Sequence, residues 1–163
     1  MFVRVRHILS HPSTNKCYTA YVREKEFINK VHKNLSKEIY RWKINDPYHG
    51  GVPDAFYSGP KDHCFIEYKY KESLPVKETS FIKIELSTQQ RIWLKRQAEN
   101  NINVYAVLGS GDLVYVTQDF EKEKITVKEF KQQAVSFTDY ITQLTNLCLG
   151  NEKSSTNQKN PTS

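Results

Sequence analysis

The spacing of apolar residues changes several times along the chain, and each change predicts an element. Residues 2–8, Phe-Val-Arg-Val-Arg-His-Ile, alternate with the period of a strand, and a Ser-, Pro- and Asn-rich stretch at 10–16 reads as a loop. Phe27, Ile28, Val31 and Leu35 recur at helical spacing, which predicts a helix from about Glu24 to Leu35. Positions 39–45 alternate again, with Ile39, Arg41 and Lys43 set against Tyr40, Trp42 and Ile44, until Gly50-Gly51 breaks the pattern. Two further strands are predicted at 53–58 and 63–71, joined by the turn Gly59-Pro60-Lys61-Asp62.

Residues 72–85 form a longer connection containing Pro75 and a short strand from Phe81 to Ile84. Ser87 has the character of an N-cap for a helix ending near Asn100-Asn101. Val104 to Leu108 reads as a buried strand, and Leu113 to Thr117 as its hairpin partner after Gly109-Ser110-Gly111-Asp112. One or two helices are predicted over 127–149, on the apolar positions Phe130, Val135, Phe137, Tyr140, Ile141 and Leu144. The sum is helix, three strands, helix, strand: an α/β fold with a mixed central sheet flanked by helices and extra C-terminal helices. A single domain is expected over 1–150, followed by a disordered polar tail at 151–163.

Composition adds a partner class. The chain has 24 Lys and Arg against 18 Asp and Glu, a net charge of +6, which suits a polyanion whose counterions are released on binding. Ten Tyr, eight Phe and two Trp can fill a core or stack on bases. Cys17, Cys64 and Cys148 are scattered and include no CxxC pair, so neither a zinc site nor a disulfide framework is indicated. No run approaches the ~20 apolar residues of a membrane helix, and the expected setting is a reducing interior such as the cytoplasm.

The chemistry concentrates in Gly51-Val52-Pro53-Asp54 and, thirteen residues on, Glu67-Tyr68-Lys69. Positions two apart on a strand share a face, so Glu67, Lys69 and Lys71 lie opposite Ile66, Tyr68 and Tyr70. The turn at 59–62 lets 53–58 return antiparallel beside 63–71, which can bring Asp54 close to Glu67. Two carboxylates held together repel unless a cation neutralises them, and hard oxygen ligands favour Mg²⁺ or Mn²⁺. Lys69 could then orient or deprotonate a water for attack on phosphorus, with the metal stabilising the developing charge. The bland alternative, a solvated strand face, fits an ExK triplet alone but fits the combination less well.

These two motifs, with Leu86-Ser87-Thr88-Gln89-Gln90-Arg91-Ile92-Trp93-Leu94 after them, resemble the motif series of PD-(D/E)XK nucleases over residues 24–108. The likeness is nearest to the VRR-NUC-like branch and small phage endonucleases. It implies a restriction-endonuclease-like core and an endonuclease cutting DNA with Mg²⁺, for which Mn²⁺ substitutes, and with no small-molecule cofactor. It implies metal ligands at Asp54, Glu67 and the backbone carbonyl of Tyr68, and a catalytic lysine at Lys69. The family's acidic residue on the first helix has three candidates. Glu24 falls amid the apolar stripe, Glu26 points away from it, and Glu38 lies beyond the helix; Glu24 is preferred, with Glu38 next. Gln90 matches the family's helix glutamine, although Ser87-x-x-Gln90 is also a capping box. The longer connection from Lys71 to Leu86 departs from the nearest branch.

Arg41, Lys43, Lys71, Arg91 and Lys95 are candidates for contact with DNA phosphates, with Lys77, Lys83 and Arg96 nearby and Arg4, Arg6, His7 and His11 adding charge. His49, a lone loop histidine, is not expected to be catalytic. Nicking and Holliday-junction-like cleavage both fit, as do a phage or mobile-element origin and a homodimer. The alternatives are a non-catalytic DNA-binding module of the same fold, or an interaction factor whose acidic pair is incidental.

Overall fold

The computed structural model describes the backbone of residues 12–46 and 48–150, and their side chains from residue 23 onward. The strand expected at 2–8, the basic residues Arg4 to His11 and the tail at 151–163 lie outside the described residues. The first helix, α1 (Pro12–Asn34), is longer than its apolar periodicity predicted. It takes in most of the expected loop at 10–16, because proline is at home in a first helical turn, where its missing N–H has no partner to lose. Then follow β1 (Tyr40–Lys43), β2 (Ala55–Ser58), β3 (His63–Tyr70) and a short β4 (Phe81–Lys83). Next come α2 (Thr88–Glu99), β5 (Val104–Ser110), β6 (Leu113–Thr117) and β7 (Lys124–Thr126). The chain closes with α3 (Val127–Gln133), β8 (Val135–Ser136) and α4 (Phe137–Leu149).

Six strands form the central sheet in the order β1-β2-β3-β5-β6-β8. All neighbours are antiparallel except β3 and β5, whose parallel pairing is made by the crossover through α2. The architecture is the mixed α/β one, a sheet with helices on both faces. On one face α1 and α4 bury Ile28, Val31, Tyr140 and Leu144 against Tyr57, Ile66 and Tyr68 of the sheet. On the other, Leu94 of α2 and Phe130 of α3 cover Val104, Ala106 and Leu108. β4 and β7 pair as a separate two-stranded sheet that joins this second core through Ile82 and Ile125. β7 and β8 are too short to leave an alternating signature and were not anticipated. Cys64 and Cys148 are free, buried thiols. Among the described residues, no helix is long and apolar enough to cross a membrane.

Two details fix how α4 and α1 sit on the sheet. Tyr57, Tyr68 and Tyr140 join their hydroxyls in a buried chain, 3.0 Å and 2.8 Å long at its two links. Gly109, expected in a turn, is instead a strand residue opposite Tyr70, and the hairpin turn is the shorter Gly111-Asp112, with Gly111 at a positive φ. A side chain at 109 would put its Cβ 2.6 Å from the ring of Phe27, which packs against both Tyr68 and Tyr70. Alanine there would overpack a closed core. Gly109→Ala is therefore expected to destabilise the fold by about 1–3 kcal/mol, against the usual gain from replacing a strand glycine, as read from the denaturation midpoint.

Candidate active site

The sheet pairing builds the site. Ala55 lies opposite Ile66, so Asp54, one residue earlier, stands across from Glu67. β2 begins at Ala55 while β3 continues to Tyr70, leaving one edge of β3 without a strand partner from 67 onward. Asp54 fills part of that gap, its Oδ2 accepting a 2.8 Å hydrogen bond from the Tyr68 amide. Phe65 and Lys71 send their amides toward the β5 side, so by alternation the amide and carbonyl of Tyr68 point to this open edge. The Tyr68 carbonyl is thus outside the strand ladder and beside Asp54.

Glu67 is 1% exposed. Its Oε1 accepts from Lys69 Nζ at 2.6 Å and from Gln90 Nε2, while Oε2 is buried with no partner. Glu24 approaches from α1, its Oε1 3.9 Å from Lys69 Nζ, as the free edge of β3 allows. Gln90 does two things at once: its Oε1 accepts from the Ser87 amide at 2.8 Å, completing the capping box of α2, while its Nε2 holds Glu67. The Gly-x-Pro-Asp loop packs against the same helical turn. Gly51 has φ +88, and a Cβ there would lie 2.4 Å from the Gln89 carbonyl oxygen, so only glycine lets this loop pass.

Electrostatics follow from burial. Desolvation, then repulsion from Asp54, raises Glu67 to about 8, and desolvation raises Glu24 to about 7. Burial also lifts Asp54, against the Tyr68 hydrogen bond and the charges of Lys69 and Lys43. Burial alone would lower Lys69, but Glu67, Glu24 and Asp54 around it prevail, and its ammonium is held above the ordinary lysine value.

The structure therefore brings together Asp54, Glu67, Lys69, Glu24, Gln90 and the Tyr68 main chain. It does not close three carboxylates into one ligand shell: among the described residues no three His, Cys, Asp or Glu side chains are grouped to hold an ion. Glu26 is exposed, and Glu38 is exposed beyond the far end of α1, about 15 Å along the helix axis from Glu24. His49 is 78% exposed and pairs with Asp46 at 2.9 Å. Two of the expected phosphate-binding residues bond main-chain carbonyls: Arg41 donates to those of His32 and Leu35 at the end of α1, and Arg91 to those of Phe120 and Ile84. Arg41 thereby satisfies carbonyls at the end of α1 that have no donor within the helix. Lys71 pairs with Glu85 at 2.9 Å and Lys95 with Glu121 at 3.2 Å, whereas Lys43 is half-buried near Asp54. The influence of Glu85 on Glu24 was not foreseen, since a loop residue carries no periodic signal.

A divalent cation fits this donor set. The partnerless Oε2 of Glu67, the second oxygen of Asp54 and the Tyr68 carbonyl are all hard oxygens around surplus negative charge. No protein-family model matches the chain, and no curated protein matches it. Among solved structures, it is similar to the 1.6 Å structure of Archaeoglobus fulgidus Hjc, a Holliday junction resolvase from an archaeal hyperthermophile. Identity is 10% and the TM-score 0.47, over 76% of this chain and 98% of that one. A likeness of that size carries no residue role to this protein.

The raised carboxylates give stability a sign. Above the usual 4.5, folded Glu24 keeps its proton to about 7 and folded Glu67 to about 8, while the unfolded chain has released both, so stability falls as pH rises through those windows. In a chelating buffer the melting temperature is expected to drop from pH about 5 to about 8, and Glu67→Gln to flatten the upper part of that drop. A wild-type melting temperature that climbs with pH would contradict the geometry.

Proposed function

We propose that the protein is a divalent-metal-dependent DNA endonuclease of the PD-(D/E)XK type, hydrolysing phosphodiester bonds at Asp54, Glu67 and Lys69. The observation that carries this reading is the buried Glu67, one oxygen tied to Lys69 and Gln90 and the other without a partner, facing Asp54 across the end of β2. A carboxylate is costly to bury with an oxygen unsatisfied unless a cation or ligand completes it.

Asp54, Glu67 and the Tyr68 carbonyl would hold Mg²⁺ or Mn²⁺. The bound ion would polarise the phosphate and offset charge developing on its oxygens. Glu67 first, with Glu24 and Asp54 behind it, keeps Lys69 protonated. Lys69, as an ammonium, is suited to orienting a water and donating toward the phosphate rather than to abstracting a proton. Gln90 fixes the Glu67 carboxylate from α2, and Asp54 is held by the Tyr68 amide. The substrate is DNA, with nicking and junction cleavage both compatible with one such site. A homodimer would supply the two sites that paired cuts require.

The test is incubation with supercoiled, single-stranded and four-way-junction DNA in Mg²⁺ or Mn²⁺. Cleavage is expected, abolished by EDTA and reduced about 10²- to 10⁴-fold by Asp54→Ala or Lys69→Ala. Gln90→Glu keeps the cap acceptor but replaces the donor to Glu67 with a second carboxylate. It is expected to retain helix content and lose activity. Full cleavage by a purified Asp54→Ala protein would end this reading, and salt-sensitive binding without cleavage in either metal would leave only a DNA-binding module.

A further inference from the structure

Outside the site, the most ordered surface feature is aromatic. Phe56 and Phe65 face each other across β2 and β3 with ring centroids 4.8 Å apart. Trp93 of α2 closes one end, 5.3 Å from Phe65. At the other end Trp42 stands opposite Phe56 in the β1–β2 register, and Tyr40 lies 6.5 Å from Phe56. β1 is the edge strand, and Trp42 and Tyr40 are 52% and 62% exposed. By strand alternation all these rings share the face of Glu67. Phe65 is two residues from Glu67 and Phe56 two residues from Asp54, about 7 Å along each strand. Arg96 lies one turn beyond Trp93, with no ion pair among the described residues.

We propose that the ladder Trp42–Phe56–Phe65–Trp93 is a stacking platform for unpaired nucleobases, so that the substrate class is DNA carrying single-stranded nucleotides beside the scissile phosphate. This rests on the endonuclease reading for the position of that phosphate. Nucleic acid is the occupant because the ladder runs directly into the acidic site: a phosphate between Asp54 and Glu67 places its neighbouring nucleotide within reach of Phe56 and Phe65. The bases must be unpaired because a duplex keeps its base faces stacked inside, where ring faces on a sheet cannot reach them. Arg96 flanks the ladder as a donor for the backbone of the same strand.

Binding is measured by fluorescence anisotropy of the full chain in chelator, where nothing is cut, with labelled oligothymidylate, an abasic strand of equal length and a duplex. Wild type is expected to bind oligothymidylate better than either of the others. Trp42→Ala should weaken that binding roughly tenfold, change duplex binding less than about twofold, and leave abasic binding unchanged; Trp42→Phe should retain most affinity. Tyr40→Ala, at the more exposed end, is the second variant if Trp42→Ala fails to fold. Equal losses on all three ligands, or none, overturn the proposal. So does a sedimentation shift in which Trp42→Ala breaks up a dimer, since the ladder would then be an interface between copies. DNA cleavage indifferent to unpaired nucleotides overturns the platform and leaves the endonuclease, whereas base-dependent binding without cleavage does the reverse.

Discussion

A carboxylate almost wholly removed from water lies at the centre of this protein, and its surroundings are arranged around that charge. Glu67 has Lys69 and Gln90 on one oxygen and nothing on the other, with Asp54 across the strand and Glu24 beyond the lysine. Three carboxylates thus face one ammonium in a region where desolvation penalises every charge. Such a cluster is balanced only by binding protons or by binding a cation, and the elevated carboxylate pKa values reflect the first of these outcomes.

The topology makes the cluster accessible. A sheet interior consumes its own main-chain donors and acceptors, so a strand offers a carbonyl to a ligand only where a neighbour stops. β2 stops at the position where β3 carries Glu-Tyr-Lys. The same interruption opens the way for α1, from one face, to place Glu24 near a lysine bonded to Glu67, which α2 holds from the opposite face. The capping box contributes as well, since it aims Gln90 and sets where α2 begins.

Much of this was legible in the sequence because it is written in short periods. Alternation around Glu67 and Lys69 fixed which side chains share a face, and the Gly-Pro turn indicated the antiparallel return that sets Asp54 opposite Glu67. Ser87 and Gln90 announced the start of α2. Other features depend on contacts between distant segments. The notch at Gly109 is defined by a ring eighty-two residues earlier, so its glycine looked like part of a turn. Arg41 and Arg91 looked like free cations because nothing local reveals which carbonyl will lack a donor after folding. β7, three residues with a lysine and a threonine about one buried isoleucine, left no period to register.

Phe27 and Glu24 are one helical turn apart on α1, and so project from neighbouring points on its surface. With the Phe27 ring seated over the bare backbone of Gly109, the helix has a detent: it cannot slide or roll on the sheet without lifting that ring out. The reach of Glu24 toward Lys69 is therefore governed by an apolar fit on the reverse side of the sheet. Divergence at positions 27 and 109 together would retune the acidic cluster while leaving every charged residue in place.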